Sequence, residues 1–251
     1  MIVRLVGSEM CIRDRSNMQV RVFADKDKNF SEHRTDFDFI EHDYDQIAFT
    51  FHATASKLQR NHAYQTFFNN QIFAIMPIDH SKNTFTVVWS IPKDFATEEY
   101  VRDNIDRLGQ QLDTDIAISG EILAFELSSS RAKEYCIPGK CLIADSAHSF
   151  HPLAGQGLNL GIADIDVLVD EFKKAKSQGR SLGDIKVLKK YEVRRKILNE
   201  AMLNGVNFLN HLFHSENIYT KLFRNRGLRL VNKIPVIKNL FIKNAVGKIK
   251  I

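Results

Sequence analysis

Asp145 closes the apolar run Cys141-Leu-Ile-Ala144, and ten residues downstream Gly155-Gln-Gly157 opens a helical pattern. A carboxylate at the C-terminal end of a buried strand can hydrogen-bond a ligand hydroxyl. A helix start preceded by glycines offers backbone N–H groups and a partial positive charge to an anionic or carbonyl-rich ligand. Both devices on one strand–loop–helix unit, with Pro152 in the loop between them, mark a cofactor site. His148 and His151 in the same stretch invite a metal reading, but no further ligand cluster accompanies them. Asp145, Ser146 and His148 supply hydrolase letters without a nucleophile elbow, and sequence adjacency is not triad geometry. The glycines of Gly155-Gln-Gly157-Leu-Asn-Leu-Gly161 sit one residue off the dinucleotide fingerprint.

The elements that must position this unit follow from periodicity. Residues 45–54, 62–68, 71–78 and 84–92 read as strands, with Asn69-Asn70 and Ser81-Lys-Asn83 as turn signals, which predicts an antiparallel sheet. Residues 94–113 read as an amphipathic helix with Tyr100, Ile105 and Leu108 on its apolar side, and 117–129 as a further strand. A short strand ends at Asp145. Helices are predicted from about Gly157 to Ser177 and from Asp184, as its cap, to Phe213, with two shorter ones divided near Pro235. The fold class is mixed α/β.

The chain has 251 residues, 44% hydrophobic and 26% charged, the balance of an ordinary globular protein. Cys11, Cys136 and Cys141 lack metal-ligand spacing and read as reduced thiols of a cytoplasmic protein. No apolar run is long enough to span a bilayer. The net charge of +5 hides an asymmetry: residues 219–251 carry nine Lys or Arg and no acid, leaving −4 for the remainder. This basic tail, interleaved with apolar residues, suits an anionic membrane surface or an acidic partner; the alternative is a pair of amphipathic helices packed on the protein. Nucleic-acid binding is not expected, because the tail's aromatics fall on its apolar face and form no stacking platform.

Asp145-Ser-Ala-His148, His151-Pro-Leu-Ala-Gly-Gln-Gly-Leu-Asn-Leu-Gly161 and Asp164 closely resemble the second flavin motif of class A flavoprotein monooxygenases, and within them the ubiquinone-biosynthesis hydroxylases. Asp43-Tyr-Asp-Gln-Ile-Ala48, His62-Ala-Tyr-Gln-Thr-Phe67, Ala74-Ile-Met-Pro77, Val87-Val-Trp-Ser90, Tyr191-Glu-Val-Arg-Arg195 and Arg224-Asn-Arg-Gly-Leu-Arg-Leu-Val231 look like further landmarks of that family. The resemblance implies FAD as cofactor, NAD(P)H as electron donor and hydroxylation of the aromatic ring of a polyprenylated phenol. It implies that Asp145 binds a ribityl hydroxyl and that Pro152 lies against the isoalloxazine edge. Gly155, Gln156 and Gly157 would let the backbone approach the ring, and the Leu158 and Asn159 amides would face its N1–C2=O end. Asp27-Lys-Asn-Phe-Ser-Glu-His-Arg34 matches the spacing of the family's Asp-Gly-x-x-Ser-x-x-Arg motif with Lys28 in place of glycine, which makes Asp27 a further candidate contact. No residue is assigned as catalytic and none as a metal ligand.

Two departures stand out. Ala144 occupies the position where the family has glycine, and is expected to need only an ordinary strand conformation. The glycine-rich pyrophosphate turn is missing, Gly7 being the only glycine before Gly109. The expected architecture is therefore a partial FAD-binding, Rossmann-like domain plus an antiparallel β-sheet substrate domain and C-terminal helices, with an N-terminal truncation. Its divisions are a non-native or disordered start at 1–17, the sheet domain with a remnant of the flavin domain at 18–135, the second FAD motif at 136–180, and C-terminal helices with the basic tail at 181–251. A non-catalytic remnant that binds a partner or a membrane without flavin is the alternative. The expected location is cytoplasmic, or peripheral on the inner-membrane surface, where the tail meets lipid or a ubiquinone-biosynthesis complex.

Overall fold

The computed structural model describes residues 2–6, 9–13, 19–26, 28–79, 83–149 and 157–214, and these divide into two compact units. Among the described residues, unit 1 combines those up to His42 with Ser129–Asn210, and unit 2 takes Asp43–Ser128 with 211–214.

In unit 1 the strands run β1 (Ile2–Val6), β2 (Glu9–Arg13), β3 (Gln19–Phe23), then β10 (Lys140–Leu142) and β9 (Cys136–Ile137). The short helix α1 (Lys28–His33) follows β3 and buries Phe30 against Phe23. β3 and β10 are parallel, with Arg21, Val22 and Phe23 opposite Lys140, Cys141 and Leu142. Parallel neighbours need a crossover, and here the crossover is the whole of unit 2, which leaves from β4 (Phe39–Ala55) and returns along β8 (Ile116–Ala132). The helices α4 (Gly157–Ser177) and α5 (Ile185–His214) pack Leu168, Phe172, Ala175, Leu188 and Tyr191 into the same core as Val20, Val22, Phe23 and Leu142. Asp184 caps α5 as predicted, its Oδ1 accepting from the Lys186 amide at 2.9 Å. Cys136 and Cys141 are free and buried, their Sγ atoms 3.2 Å apart, and burial pushes the Cys141 thiol up. No helix among the described residues is long and apolar enough to cross a membrane.

Unit 2 is built on the antiparallel sheet that the alternation predicts. Its strands are β4, which begins in unit 1, with β5 (Tyr64–Phe68), β6 (Gln71–Asp79), β7 (Thr84–Pro92) and β8, which ends in unit 1, side by side in the order β8-β4-β7-β6-β5. Phe68 pairs with Gln71 across the two-residue turn Asn69-Asn70, whose φ values of 45° and 59° are those of a type I′ hairpin. Asparagine tolerates this left-handed backbone, so the turn signal and the register agree. Phe49 and Phe51 on β4, Phe73 and Ile75 on β6, and Phe85, Val87, Trp89 and Ile91 on β7 share one face. The helix α2 (Glu98–Gln111) covers it with Val101, Ile105 and Leu108. Thr97 caps α2, its hydroxyl accepting from the Tyr100 amide at 3.0 Å. Inside the core Trp89 Nε1 donates to Gln71 Oε1 at 2.9 Å, and Gln71 Nε2 donates to the Tyr100 hydroxyl at 2.8 Å. That relay satisfies the polar atoms of three residues on β7, β6 and α2.

Two expectations about the site segment are corrected. β10 stops at Leu142, and Asp145 lies in a short helix, α3 (Ala144–Ala147), instead of at a strand end. The cause is Ser146: its hydroxyl donates to the Phe23 carbonyl at 2.6 Å and accepts from the Ile143 amide at 3.3 Å, folding the chain back against the end of β3. Ala144, expected to be an ordinary strand residue, has φ +50°, the left-handed region that favours glycine.

Candidate flavin site

Asp145 is exposed at the surface of α3, close to the N-terminus of α4. A Cβ built on Gly157 would lie 3.9 Å from Asp145 Oδ1. The carboxylate and the first turn of α4, which the sequence placed twelve residues apart, therefore meet in space. The aligned peptide dipoles of a helix put a partial positive charge at its start, so this end of α4 is electropositive. Leu158 is 77% exposed and Asn159 is exposed beside it. Pro152, Gly155 and Gln156 of the intervening loop lie outside the described residues, as do Asp27 and the basic tail 219–251.

Lys26, just after β3, reaches the same place: its Nζ donates to Ser149 Oγ at 3.0 Å. Partial burial and the nearby Arg34 lower its pKa from the ordinary lysine value, while Glu41 and Asp145 oppose the shift. Arg34 pairs with Glu41 and stacks over Phe39 with its guanidinium 4.4 Å from the ring centroid.

Beneath this surface lies a buried network that sequence reasoning did not assemble. Asp164, on α4, has no solvent exposure. Its Oδ2 accepts from the Ala144 amide at 2.9 Å and bonds His148 Nε2 at 2.6 Å. Its Oδ1 accepts from Arg195 Nε at 2.6 Å and from Asn199 Nδ2 at 3.2 Å, both on α5. Burial would raise the Asp164 carboxyl, but the hydrogen bonds and charge of His148 and Arg195 outweigh it and hold the pKa below the usual carboxylate value. His148 is tied down through this carboxylate. Gly161, one turn into α4, permits the close approach: a Cβ there would fall 2.7 Å from the Ala144 Cβ. The signal was present in the sequence as Gly161 and Asp164, three residues apart on one helix, and Arg195 on the next.

The donor set fits a flavin dinucleotide. An exposed carboxylate suits a sugar hydroxyl, and beside it a helix N-terminus opening on glycine suits the electron-rich edge of the ring.

The chain is similar to several known proteins. Over 124 residues the chain is 38% identical to the 3-demethoxyubiquinol 3-hydroxylase of Escherichia coli K12, covering 49% of this chain and 32% of that protein. Over 247 residues it is 25% identical to the ubiquinone hydroxylase UbiM of Neisseria meningitidis, covering 96% of this chain and 53% of that one. The chain thus spans about half or less of the length of these curated relatives. Among solved structures it shares the fold of p-nitrophenol 4-monooxygenase PnpA from Pseudomonas putida DLL-E4, with a TM-score of 0.70 and 14% identity over 99% of this chain and 66% of that one. A single-residue variant of HpxO from Klebsiella pneumoniae, solved in complex with FAD, superposes with a TM-score of 0.67 and 14% identity over 98% of this chain and 67% of that one. The family model described as the FAD binding domain matches residues 24–205, which take in α3, α4 and the Asp164 network, and the chain belongs to that family.

Proposed function

We propose that this chain is part of an FAD-dependent monooxygenase that hydroxylates the aromatic ring of a polyprenylated phenol in ubiquinone biosynthesis. The observation that carries the reading is the meeting of the Asp145 carboxylate with the glycine-opened N-terminus of α4, in a chain of the FAD binding domain family. The relatives named as ubiquinone hydroxylases supply the substrate class, and NAD(P)H as electron donor follows from the class of enzyme.

In this reading FAD supplies the redox and oxygen chemistry, and the protein supplies position and electrostatics. Asp145 would accept a hydrogen bond from a ribityl hydroxyl of the flavin. By the family resemblance, Pro152, Gly155 and Gln156 would be the loop residues nearest the ring. Gly157 would keep the helix start clear of a side chain, and the positive end of α4 at Leu158 and Asn159 would stabilise the negative charge of the reduced flavin. Asp27 would contribute a further polar contact. The antiparallel sheet of unit 2 carries the substrate domain, and the basic tail 219–251 is the segment suited to a membrane surface or a biosynthetic complex.

The test is flavin retention. The purified protein is incubated with FAD, desalted and read for flavin absorbance in the visible range. Asp145→Ala should reduce retained flavin at least tenfold, the loss of about 1.4 kcal/mol expected for one charge-assisted hydrogen bond. Retention equal to wild type would refute the assignment of Asp145. A wild-type chain that stays colourless would instead favour the flavin-free binding module.

A further inference from the structure

The buried carboxylate of Asp164 receives donors from two separate stretches of unit 1: the Ala144 amide and His148 around α3, and Arg195 and Asn199 on α5. Asp164 itself belongs to α4, so a single side chain joins three helices, two of which, α3 and α4, carry the candidate flavin site. Arg195 adds a second tie to α4 through Nη2 and the Leu160 carbonyl at 3.4 Å, and to its own helix through Asn199 Oδ1 at 2.9 Å.

Two geometric facts give this junction a direction. Ala144, whose amide Asp164 holds, immediately precedes Asp145, and it is held in a left-handed conformation that alanine does not choose unaided. Rotation about Ala144 would swing the Asp145 carboxylate away from the α4 N-terminus. On the other side, the crossing of α3 over α4 leaves no room for a side chain at Gly161, so the two segments cannot slide without opening that contact. Asp164 itself faces the protein interior and has no solvent exposure, so it does not contact ligand from this position.

We infer that Asp164, braced by Arg195 and His148, is a positioning residue that aims the Asp145 carboxylate and the α4 N-terminus at one flavin. The inference rests on the flavin reading of Asp145 given above and deepens it. Side chains behind a ligand-binding group commonly set its affinity by orienting it, and their loss commonly costs ten- to hundred-fold in binding.

The deciding variant is Asp164→Asn, which keeps the volume and removes the charge and part of the acceptor capacity. FAD affinity should fall roughly ten- to hundred-fold, the visible band of the flavin that still binds should change shape, and hydrogen exchange at the Ala144 amide should speed up by about tenfold or more. Exchange on the strands of unit 2 should stay as in wild type. Glu134→Gln, at an exposed carboxylate paired with Lys189, should alter none of these. A lowered melting temperature accompanied by wild-type affinity, flavin spectrum and Ala144 exchange would reduce Asp164 to a structural residue and overturn the proposal. If Asp164→Asn fails to fold, Arg195→Lys replaces it; that change keeps the charge and loses the guanidinium fork, and the same three readouts apply. The failures are separable. Asp145→Ala binding FAD like wild type removes the site reading, whereas Asp145→Ala losing FAD while Asp164→Asn retains it removes only the aiming role. Should wild type take up no FAD, unchanged Ala144 exchange in Asp164→Asn overturns the clamp by itself.

Discussion

Replacing Ala144 with glycine should stabilise this protein, although glycine is usually the destabilising choice. At φ +50° the alanine Cβ crowds its own backbone, at a cost of about 1–2 kcal/mol for a left-handed L-residue. Glycine removes that cost and returns about 0.5–1 kcal/mol through the extra freedom of the unfolded chain. The amide that Asp164 holds is retained, so the hydrogen bond at 2.9 Å is not lost. The balance favours Ala144→Gly by about 0.5–1 kcal/mol, a rise of roughly 1–4 °C in melting temperature for a chain of this size. Differential scanning calorimetry of the variant measures it directly. Ala201→Gly, at an exposed position within α5, is the matched control and should lose about 1 kcal/mol. A fall in melting temperature for Ala144→Gly as large as that of the control would mean that Ala144 is not strained, and the argument would fail.

Gly161→Ala should destabilise by about 1–3 kcal/mol, because the new Cβ would fall 2.7 Å from that of Ala144. On the Ala144→Gly background most of that penalty should vanish, and a double-mutant cycle by chemical denaturation that shows additive effects would refute the contact. Trp89→Phe should cost about 2–4 kcal/mol in urea unfolding, since it leaves a void and strips the buried Gln71 Oε1 of its donor; a loss below about 1 kcal/mol would show that the relay to Tyr100 does not matter to the core.

What the sequence disclosed was whatever the chain decides locally. The strand Thr84–Pro92 and the helix Gly157–Ser177 were legible to the residue, because alternation and a 3.6-residue period are properties of a few consecutive side chains. Asn69-Asn70 fixed a hairpin for the same reason. The helix predicted from residue 94 starts at Glu98, where Thr97 supplies the cap, and the strand predicted from residue 62 starts at Tyr64. Such ends depend on single hydrogen bonds that periodicity does not register. Ala144 was misjudged for a longer-range reason: its conformation is imposed by a carboxylate twenty residues away and by a hydroxyl, that of Ser146, bonded to Phe23. The Asp164–Arg195 pair was illegible as a pair, since nothing in local pattern joins residues thirty-one apart.

The burial of Asp164 has a physical implication. Removing a carboxylate and a guanidinium from water costs several kcal/mol per ion, and their mutual attraction commonly does little more than offset it. An apolar side chain at the same place would hold α3, α4 and α5 together about as firmly, but it would not choose among their rotations. A carboxylate with donors on both oxygens does choose, because each bond has its own direction: Ala144 and His148 on Oδ2, Arg195 and Asn199 on Oδ1. The orientation so fixed is that of the residue immediately before Asp145. Stability is therefore the wrong quantity by which to judge Asp164. Its worth should appear in the affinity and spectrum of bound flavin, even in a variant whose melting temperature is hardly changed.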